Sequence, residues 1–132
     1  RGSKETLYDV HLPDVTITGE LPSVLPYLCN ASVALVPLRY ESGTRFKILE
    51  AGACGIPVVS TTLGAEGIPD GDGDELLIAD DPGDFADAII RLLEDRDTAL
   101  RLANNMRELV RRDYAIETLA AQADDILATL VR

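Results

Sequence analysis

Residues 41–61 read ESGTRFKILEAGACGIPVVST, and this stretch decides the fold. A Ser-Gly-Thr turn opens a helical pattern, a Gly-Ile-Pro stop ends it, and a strand rich in β-branched residues follows. Gly43 lets the backbone approach a ligand closely, and Ser42 or Thr44 can cap the helix. The unpaired N–H groups and positive dipole end of such a helix favour a phosphate in front of it. The stretch therefore predicts an anion-binding turn at the start of a helix that packs beside a strand.

The polar side chains of this helix suit a phosphate and a sugar. Lys47 and Glu50 lie one turn apart, so a cation that can reach an anion sits beside a carboxylate that can accept two hydrogen bonds from a diol. An alternative stays open, because the same two side chains can form an i,i+3 ion pair on a solvated face. Phe46, Leu49 and Ala53 form a second stripe, which we predict to be the core face.

Strand and helix patterns alternate around this stretch, and helical patterns alone occupy the end of the chain. Strands are predicted at residues 15–18, 33–36, 57–60 and 75–79, and helices at residues 21–30, 82–95, 98–112 and 116–131 besides the central one. This order indicates an α/β fold with a doubly wound, Rossmann-like parallel sheet and C-terminal helices. The chain has 132 residues, which predicts a single domain spanning residues 1–132.

The composition of the chain disfavours several classes of binding partner. The net charge of −11 disfavours nucleic acid and anionic lipid, so an anion must be captured by local donors. No apolar run approaches the ~20 residues that cross a bilayer, so no transmembrane segment is expected. The acidic run at residues 70–74, DGDGD, lacks the glycine and glutamate that a calcium loop needs at its sixth and twelfth positions, which favours a solvated turn.

The chain contains two cysteines, Cys29 and Cys54, and each stands among apolar or small residues. We predict that both are reduced core thiols and do not form a disulfide, which fits a cytoplasmic location.

Four segments together carry a family resemblance. They are GTRFKILEAGACGIPVVST at 43–61, LGAEGI at 63–68, LLIADDPGDFADAIIRLLED at 76–95 and VTITGELPSVLPYLCNASVALVPLRY at 15–40. They resemble the C-terminal, donor-binding domain of GT-B glycosyltransferases, and most closely the retaining enzymes of family 4, also called group 1 glycosyltransferases. A Lys-Ile-Leu-Glu-Ala helix followed by Gly-x-Pro-Val-Val-Ser-Thr is a specific signature.

The resemblance implies that a nucleotide-sugar donor lies along this domain and faces an N-terminal acceptor domain across a cleft. It implies that Glu50 binds the ribose hydroxyls, and that Arg45 and Lys47 stabilise the leaving group or support the site. The loop from Gly19 to Leu21 would line the base pocket. The turn near the diphosphate and the transferred sugar would consist of Ser42, Gly43 and Thr44. No catalytic residue is assigned, and neither a metal nor another cofactor is expected.

The sequence departs from the family pattern at one position and over one region. Ser42 stands where the family often carries a glutamate, and the preceding Gly-rich phosphate loop with its basic pair is absent. We therefore expect a truncated donor-binding domain that is inactive without its own N-terminal domain. Peripheral membrane contact of the intact enzyme stays open. Two alternatives also stay open, namely a nucleotide-sugar epimerase of the same architecture and a non-catalytic nucleotide-binding or interaction domain.

Overall fold

A computed structural model of the protein describes residues 12–40, 45–68 and 73–113. In chain order, the elements are helix α1 (Leu25–Cys29), strand β1 (Ala34–Val36), helix α2 (Arg45–Ala53), strand β2 (Val58–Ser60), strand β3 (Leu77–Ile78), helix α3 (Pro82–Glu94) and helix α4 (Arg96–Asp113). The predicted α/β order is confirmed over these ranges.

The strands form a parallel sheet in the order β1-β2-β3. Ala34 lies opposite Val58, and Val59 lies opposite Leu77. The central strand β2 is buried along its whole length, as expected for a parallel strand that is covered on both faces. Because the strands are parallel, their carboxyl ends meet at one edge of the sheet, and the segments that leave this edge are brought together.

Helices cover both faces of this sheet. On one face, Val58 packs in a cluster with Ile48 of α2 and Met106 of α4. On the other face, Val59 packs with Leu92 of α3 and Leu102 of α4. Successive residues of β2 therefore point into different clusters, which follows from the two-residue period of a strand. The arrangement is the doubly wound fold that the sequence predicts.

Helix α2 is held against α4 by a close approach at Gly52. A Cβ atom at this position would lie 2.5 Å from Cγ of Met106 and 3.2 Å from Cγ2 of Val110. A larger residue would therefore have to push the two helices apart. The small-residue run after Glu50 serves helix packing, and this packing orients α2 and its side chains relative to the sheet.

Two sequence predictions about the core are wrong. The segment at residues 15–18 is not a strand, because within the described ranges it has no ladder partner, and Val15 and Ile17 are 56% and 41% exposed. On α2, Phe46 is 59% exposed and Ala53 is also exposed, although Leu49 is buried as predicted. The helix is covered by the sheet and by α4 together, so its buried side is wider than one stripe and consists of Ile48, Leu49, Ala51 and Gly52.

The boundaries of the C-terminal helices follow from their caps. The Asp81 carboxylate accepts hydrogen bonds from the N–H groups of Gly83 and Asp84 at 2.9 and 3.1 Å, so Asp81 caps α3. Helix α4 begins two residues earlier than predicted, because Asp95 accepts a hydrogen bond from the Thr98 N–H group.

The predicted helix at 116–131 lies outside the described residues. None of the described helices is both long and apolar enough to cross a membrane.

Candidate functional site

A cavity of about 450 Å³ lies along the outer side of β1, between the segment that contains α1 and the helix α2. Its volume is in the range of small-molecule sites, which are mostly apolar with a few polar groups. Strand β1 is an edge strand of the described sheet, and residues 33–36 form the floor of this cavity. Leu35, in the middle of that strand, is 48% exposed and presents apolar surface there.

One wall of the cavity is apolar and comes from the segment before β1. Leu21 lies in the loop that follows Gly19, and Val24, Tyr27 and Leu28 follow on the same wall. Gly19 has a positive φ of 70°, a conformation that glycine adopts without strain, so the chain can turn there. This wall offers flat apolar surface and one aromatic ring, which are suited to a heterocyclic base.

The opposite wall carries the charged groups. Lys47 and Glu50 both line the cavity from α2, where Lys47 is exposed and Glu50 is half-buried. No ion pair joins them, although both side chains are described, so the ion-pair alternative is wrong for these two residues. Each group can therefore act on a ligand. Lys47 can donate to a phosphate oxygen, and Glu50 can accept hydrogen bonds from two hydroxyls.

The structure brings three of the eight residues predicted for donor binding to this cavity, namely Leu21, Lys47 and Glu50. Gly19 lies two residues before Leu21 in the same loop. Arg45 is the first residue of α2, and its side chain lies outside the described part of the chain. The predicted anion-binding turn, Ser42, Gly43 and Thr44, also lies outside the described residues, so its role stays a prediction.

A hydrogen-bond network fixes the carboxyl edge of the sheet from which the loop before α2 departs. The Thr61 hydroxyl donates to the Leu38 carbonyl oxygen at 2.6 Å and accepts from the Gly64 N–H group at 3.1 Å. The Thr61 N–H group donates to the Val36 carbonyl oxygen at 3.1 Å. Thr61 is buried, so these bonds are shielded from water. They tie the start of the loop after β1 to the turn that follows β2.

Gly64 closes the same turn onto the sheet. A Cβ atom there would lie 2.5 Å from the Ser60 hydroxyl oxygen, 2.9 Å from Cγ1 of Val36 and 3.0 Å from the Val36 carbonyl oxygen. No side chain fits in that space without movement of the strand. The Leu-Gly-Ala segment after β2 therefore packs directly over the ends of β1 and β2.

Sequence reasoning missed a second polar contact at this edge. Thr62 donates to the Asp80 carboxylate twice, from its N–H group at 2.8 Å and from its hydroxyl at 2.7 Å. These hydrogen bonds hold the pKa of Asp80 below its ordinary value, and the charge of Arg39 contributes less. The signal was present in the sequence, because Thr62 stands two residues after one predicted parallel strand and Asp80 directly follows another. The ends of neighbouring parallel strands lie side by side.

Two other cavities lie elsewhere on the described surface. One, of about 610 Å³ beside β3 and α3, is lined by Asp80, Asp81, Asp84 and Asp87 with Arg91, and its acidic lining opposes an anionic ligand. The other, of about 500 Å³, lies between the segment at 55–57 and the junction of α3 with α4.

Within the described ranges, no group of three or more histidine, cysteine, aspartate or glutamate side chains could hold a metal ion.

Comparison with known proteins points to one family. Residues 2–95 match the family model described as "Glycosyl transferases group 1". The chain is 35% identical over 96 residues to D-inositol 3-phosphate glycosyltransferase 2 of Catenulispora acidiphila, covering 71% of this chain and 22% of the relative. It is 30% identical over 129 residues to N-acetyl-alpha-D-glucosaminyl L-malate synthase of Bacillus anthracis, covering 94% of this chain and 33% of that enzyme. The chain thus spans a third or less of the length of these relatives.

The fold comparison agrees with the family match. The C-terminal domain of a group 1 family glycosyltransferase (LpcC) from Francisella tularensis superposes with a TM-score of 0.67. That superposition covers 77% of this chain and 53% of the other at 19% sequence identity, so it bears on the fold alone. The described elements thus have the fold of a GT-B C-terminal domain, as the sequence predicts.

Proposed function

Since the chain belongs to the group 1 glycosyltransferases, we propose that it forms the donor-binding part of an enzyme that transfers a sugar from a nucleoside diphosphate sugar to an acceptor. One observation carries the proposal. A single cavity gathers an apolar loop residue, Leu21, a half-buried carboxylate, Glu50, and a cation, Lys47, that forms no ion pair with any described residue. A nucleotide has matching parts, namely a flat base, a phosphate chain and a ribose diol.

The proposed binding mode assigns one part of the donor to each wall. The base packs on the apolar wall near Leu21 and Tyr27, where burial of its faces is favourable. The Glu50 carboxylate accepts hydrogen bonds from the two ribose hydroxyls, and such bonds to a charged group contribute about 1.5–3 kcal/mol each. Lys47 lies one turn nearer to the start of α2, so it is placed to reach the diphosphate.

The same arrangement supplies the chemistry of the leaving group. When the glycosidic bond breaks, negative charge collects on the departing diphosphate, and fixed positive groups stabilise that charge in the transition state. Lys47 and the positive end of the α2 dipole provide such groups without a metal ion. We propose that transfer proceeds with retention at the anomeric carbon, that the acceptor is held by an N-terminal domain of the intact protein, and that the enzyme acts in the cytoplasm.

The relatives support assignment of this region to the donor. The two curated names describe attachment of a sugar to different small molecules, D-inositol 3-phosphate and L-malate. Both relatives share this region with the chain although their acceptors differ. The region is therefore suited to the step that the two reactions have in common, which is binding of the activated sugar. The net charge of −11 opposes an anionic ligand, so capture of the diphosphate depends on local donors such as Lys47.

The test is calorimetric titration of the full-length protein with UDP, GDP and their 2′,3′-dideoxy analogues. With the nucleotide that binds, Glu50→Gln should weaken affinity roughly 10- to 100-fold, because a charged acceptor for the diol is lost. The dideoxy analogue should bind weakly to the wild type and should lose little further in Glu50→Gln, because the hydroxyls and the carboxylate act as one pair.

Glu94→Gln is the matched control, since Glu94 is an exposed glutamate on α3 and does not line the cavity. It should leave the affinity unchanged. The proposal fails if neither nucleotide binds below millimolar concentration. It also fails if Glu50→Gln binds UDP and GDP as tightly as the wild type does.

A further inference from the structure

Helices α1 and α2 meet at a pair of sulfur atoms. Cys29 is the last residue of α1, and Cys54 directly follows the last residue of α2. The Cys29 sulfur lies 2.8 Å from the Cys54 sulfur, and no disulfide joins the two residues. The sequence predicts two core thiols, but Cys29 is exposed and Cys54 is only half-buried. A disulfide holds its sulfurs at about 2.05 Å, so a bond here requires a closing movement of less than about 1 Å.

Hydrogen bonds at the two helix ends fix the backbone beside each cysteine. After Cys29, the Asn30 side-chain amide donates to the Pro26 carbonyl oxygen at 2.7 Å. At the end of α2, the Cys54 N–H group donates to the Glu50 carbonyl oxygen at 3.1 Å, and Gly55 continues the chain with a positive φ of 74°. This capping holds the two sulfurs in proximity, so their encounter does not depend on a rare opening of the fold.

We propose that Cys29 and Cys54 are a reversible modification site, at which a low-molecular-weight disulfide such as oxidised glutathione converts the two thiols into an intramolecular disulfide. In chains that face a reducing compartment, disulfides of this kind are typically transient and redox-sensing. The pair differs from a structural disulfide because one of its members is open to solvent and the two sulfurs are not bonded to each other.

The chemistry assigns a different role to each sulfur. Cys29, which is exposed, loses its proton to solvent, and its thiolate attacks one sulfur of oxidised glutathione. A mixed disulfide forms, and one glutathione leaves as a thiolate. Burial, together with the neighbouring Cys29, raises the pKa of Cys54 to about 11, so Cys54 is a thiol at neutral pH. As it gives up its proton, Cys54 attacks the Cys29 sulfur of the mixed disulfide and releases the second glutathione. The protein is oxidised by two electrons, and one glutathione disulfide is reduced to two thiols.

The bond would join the two walls of the 450 Å³ cavity. Leu28, the neighbour of Cys29, lines the apolar wall, and Glu50, one turn before Cys54, lines the charged wall. A covalent link between the two helix ends would limit how far these walls separate. An effect on nucleotide binding rests on the function proposed above, whereas formation of the disulfide does not.

The test uses the 132-residue chain, which contains no cysteines other than these two. The chain is equilibrated with oxidised and reduced glutathione at a series of ratios, quenched with acid, alkylated in denaturant and analysed by intact mass and peptide mapping. We expect a monomer that has lost two hydrogens, resists alkylation and yields a Cys29–Cys54 linked peptide, and that reverts with dithiothreitol. Cys54→Ser should instead retain one glutathione as a mixed disulfide on Cys29, whereas Cys29→Ser should take up much less, because Cys54 stays a half-buried thiol.

Thermal unfolding provides a second measurement. Because the bond closes a loop between residues 25 positions apart, the oxidised chain should melt roughly 10 °C higher than the reduced chain, and neither serine variant should show this shift. The proposal is overturned if both thiols are fully alkylated at the most oxidising ratio. It is equally overturned if oxidation yields only intermolecular dimers, or if the oxidised monomer melts at or below the temperature of the reduced chain. A change in nucleotide affinity on oxidation, measured separately, bears only on the functional consequence.

Discussion

Replacement of Thr61 by valine tests whether the hydroxyl network at the carboxyl edge of the sheet holds the loop that leads to α2. Valine has nearly the same shape as threonine, so the change replaces the hydroxyl by a methyl group of similar size. Two hydrogen bonds are lost, at 2.6 Å to the Leu38 carbonyl oxygen and at 3.1 Å from the Gly64 N–H group. Each such bond contributes about 1 kcal/mol net, and loss of a buried partner adds about 1 kcal/mol or more. We therefore expect Thr61→Val to destabilise the chain by about 2–4 kcal/mol.

The measurement is urea unfolding followed by circular dichroism, with the midpoint and the slope determined for each variant. Thr61→Ser is the matched control, because it retains the hydroxyl and loses one methyl group, at a cost of about 1 kcal/mol. Thr61→Val should therefore unfold at a lower urea concentration than Thr61→Ser, with an unchanged slope.

The reverse order would refute the reasoning. If Thr61→Val is as stable as the wild type, or more stable than Thr61→Ser, the hydroxyl does not contribute as its geometry indicates. In that case the turn after β2 is held by apolar packing, since Thr61 is only 6% exposed and its methyl group also lies in the buried region.

Two further predictions concern the same edge and the acid limit of stability. Gly64→Ala should destabilise the chain by about 1–3 kcal/mol in urea unfolding, because its Cβ would lie 3.0 Å from the Val36 carbonyl oxygen and 2.5 Å from the Ser60 hydroxyl. The added Ser60→Ala substitution should recover part of that loss, and full stability of Gly64→Ala alone would contradict the packing. Hydrogen bonds from threonines hold the pKa values of Asp80 and Asp95 below the ordinary value of 3.8. The stability that these two carboxylates contribute is therefore present above about pH 4, and it is lost as the pH falls through their folded-state pKa values. Asp80→Asn should flatten the dependence of the urea midpoint on pH below about pH 4, and an unchanged profile would exclude this role for Asp80.

Local patterns in the sequence were sufficient for most of the described elements. The helix at 45–53, the strand at 58–60 and the capped helix after Asp81 all follow from signals contained within a few residues, namely turn residues, β-branched runs and a proline after a capping carboxylate. The strand predicted at 15–18 has the same kind of local signal and is not formed. A strand is stabilised by hydrogen bonds to a neighbour, and composition alone does not show whether a neighbour is present.

The candidate site, too, could be predicted from the sequence only in part. Residue types and helical spacing identified Lys47 and Glu50 as a cation and a carboxylate that can face one ligand. Only the packing of α2 between the sheet and α4 showed that both line one cavity with Leu21 and do not pair with each other. The contact between Cys29 and Cys54 was equally inaccessible to sequence, because it depends on the ends of two helices meeting.

The sequence by itself determined the family, the α/β order and the residues at 41–61 that can bind a phosphate and a diol, because these properties depend on residue type and on spacing along the chain. Only the tertiary structure decided which face of that helix is buried, which side chains share a cavity and which thiols meet. These properties depend on how parallel strands bring distant segments to one edge and on how closely two helices approach at Gly52, where no side chain fits between them.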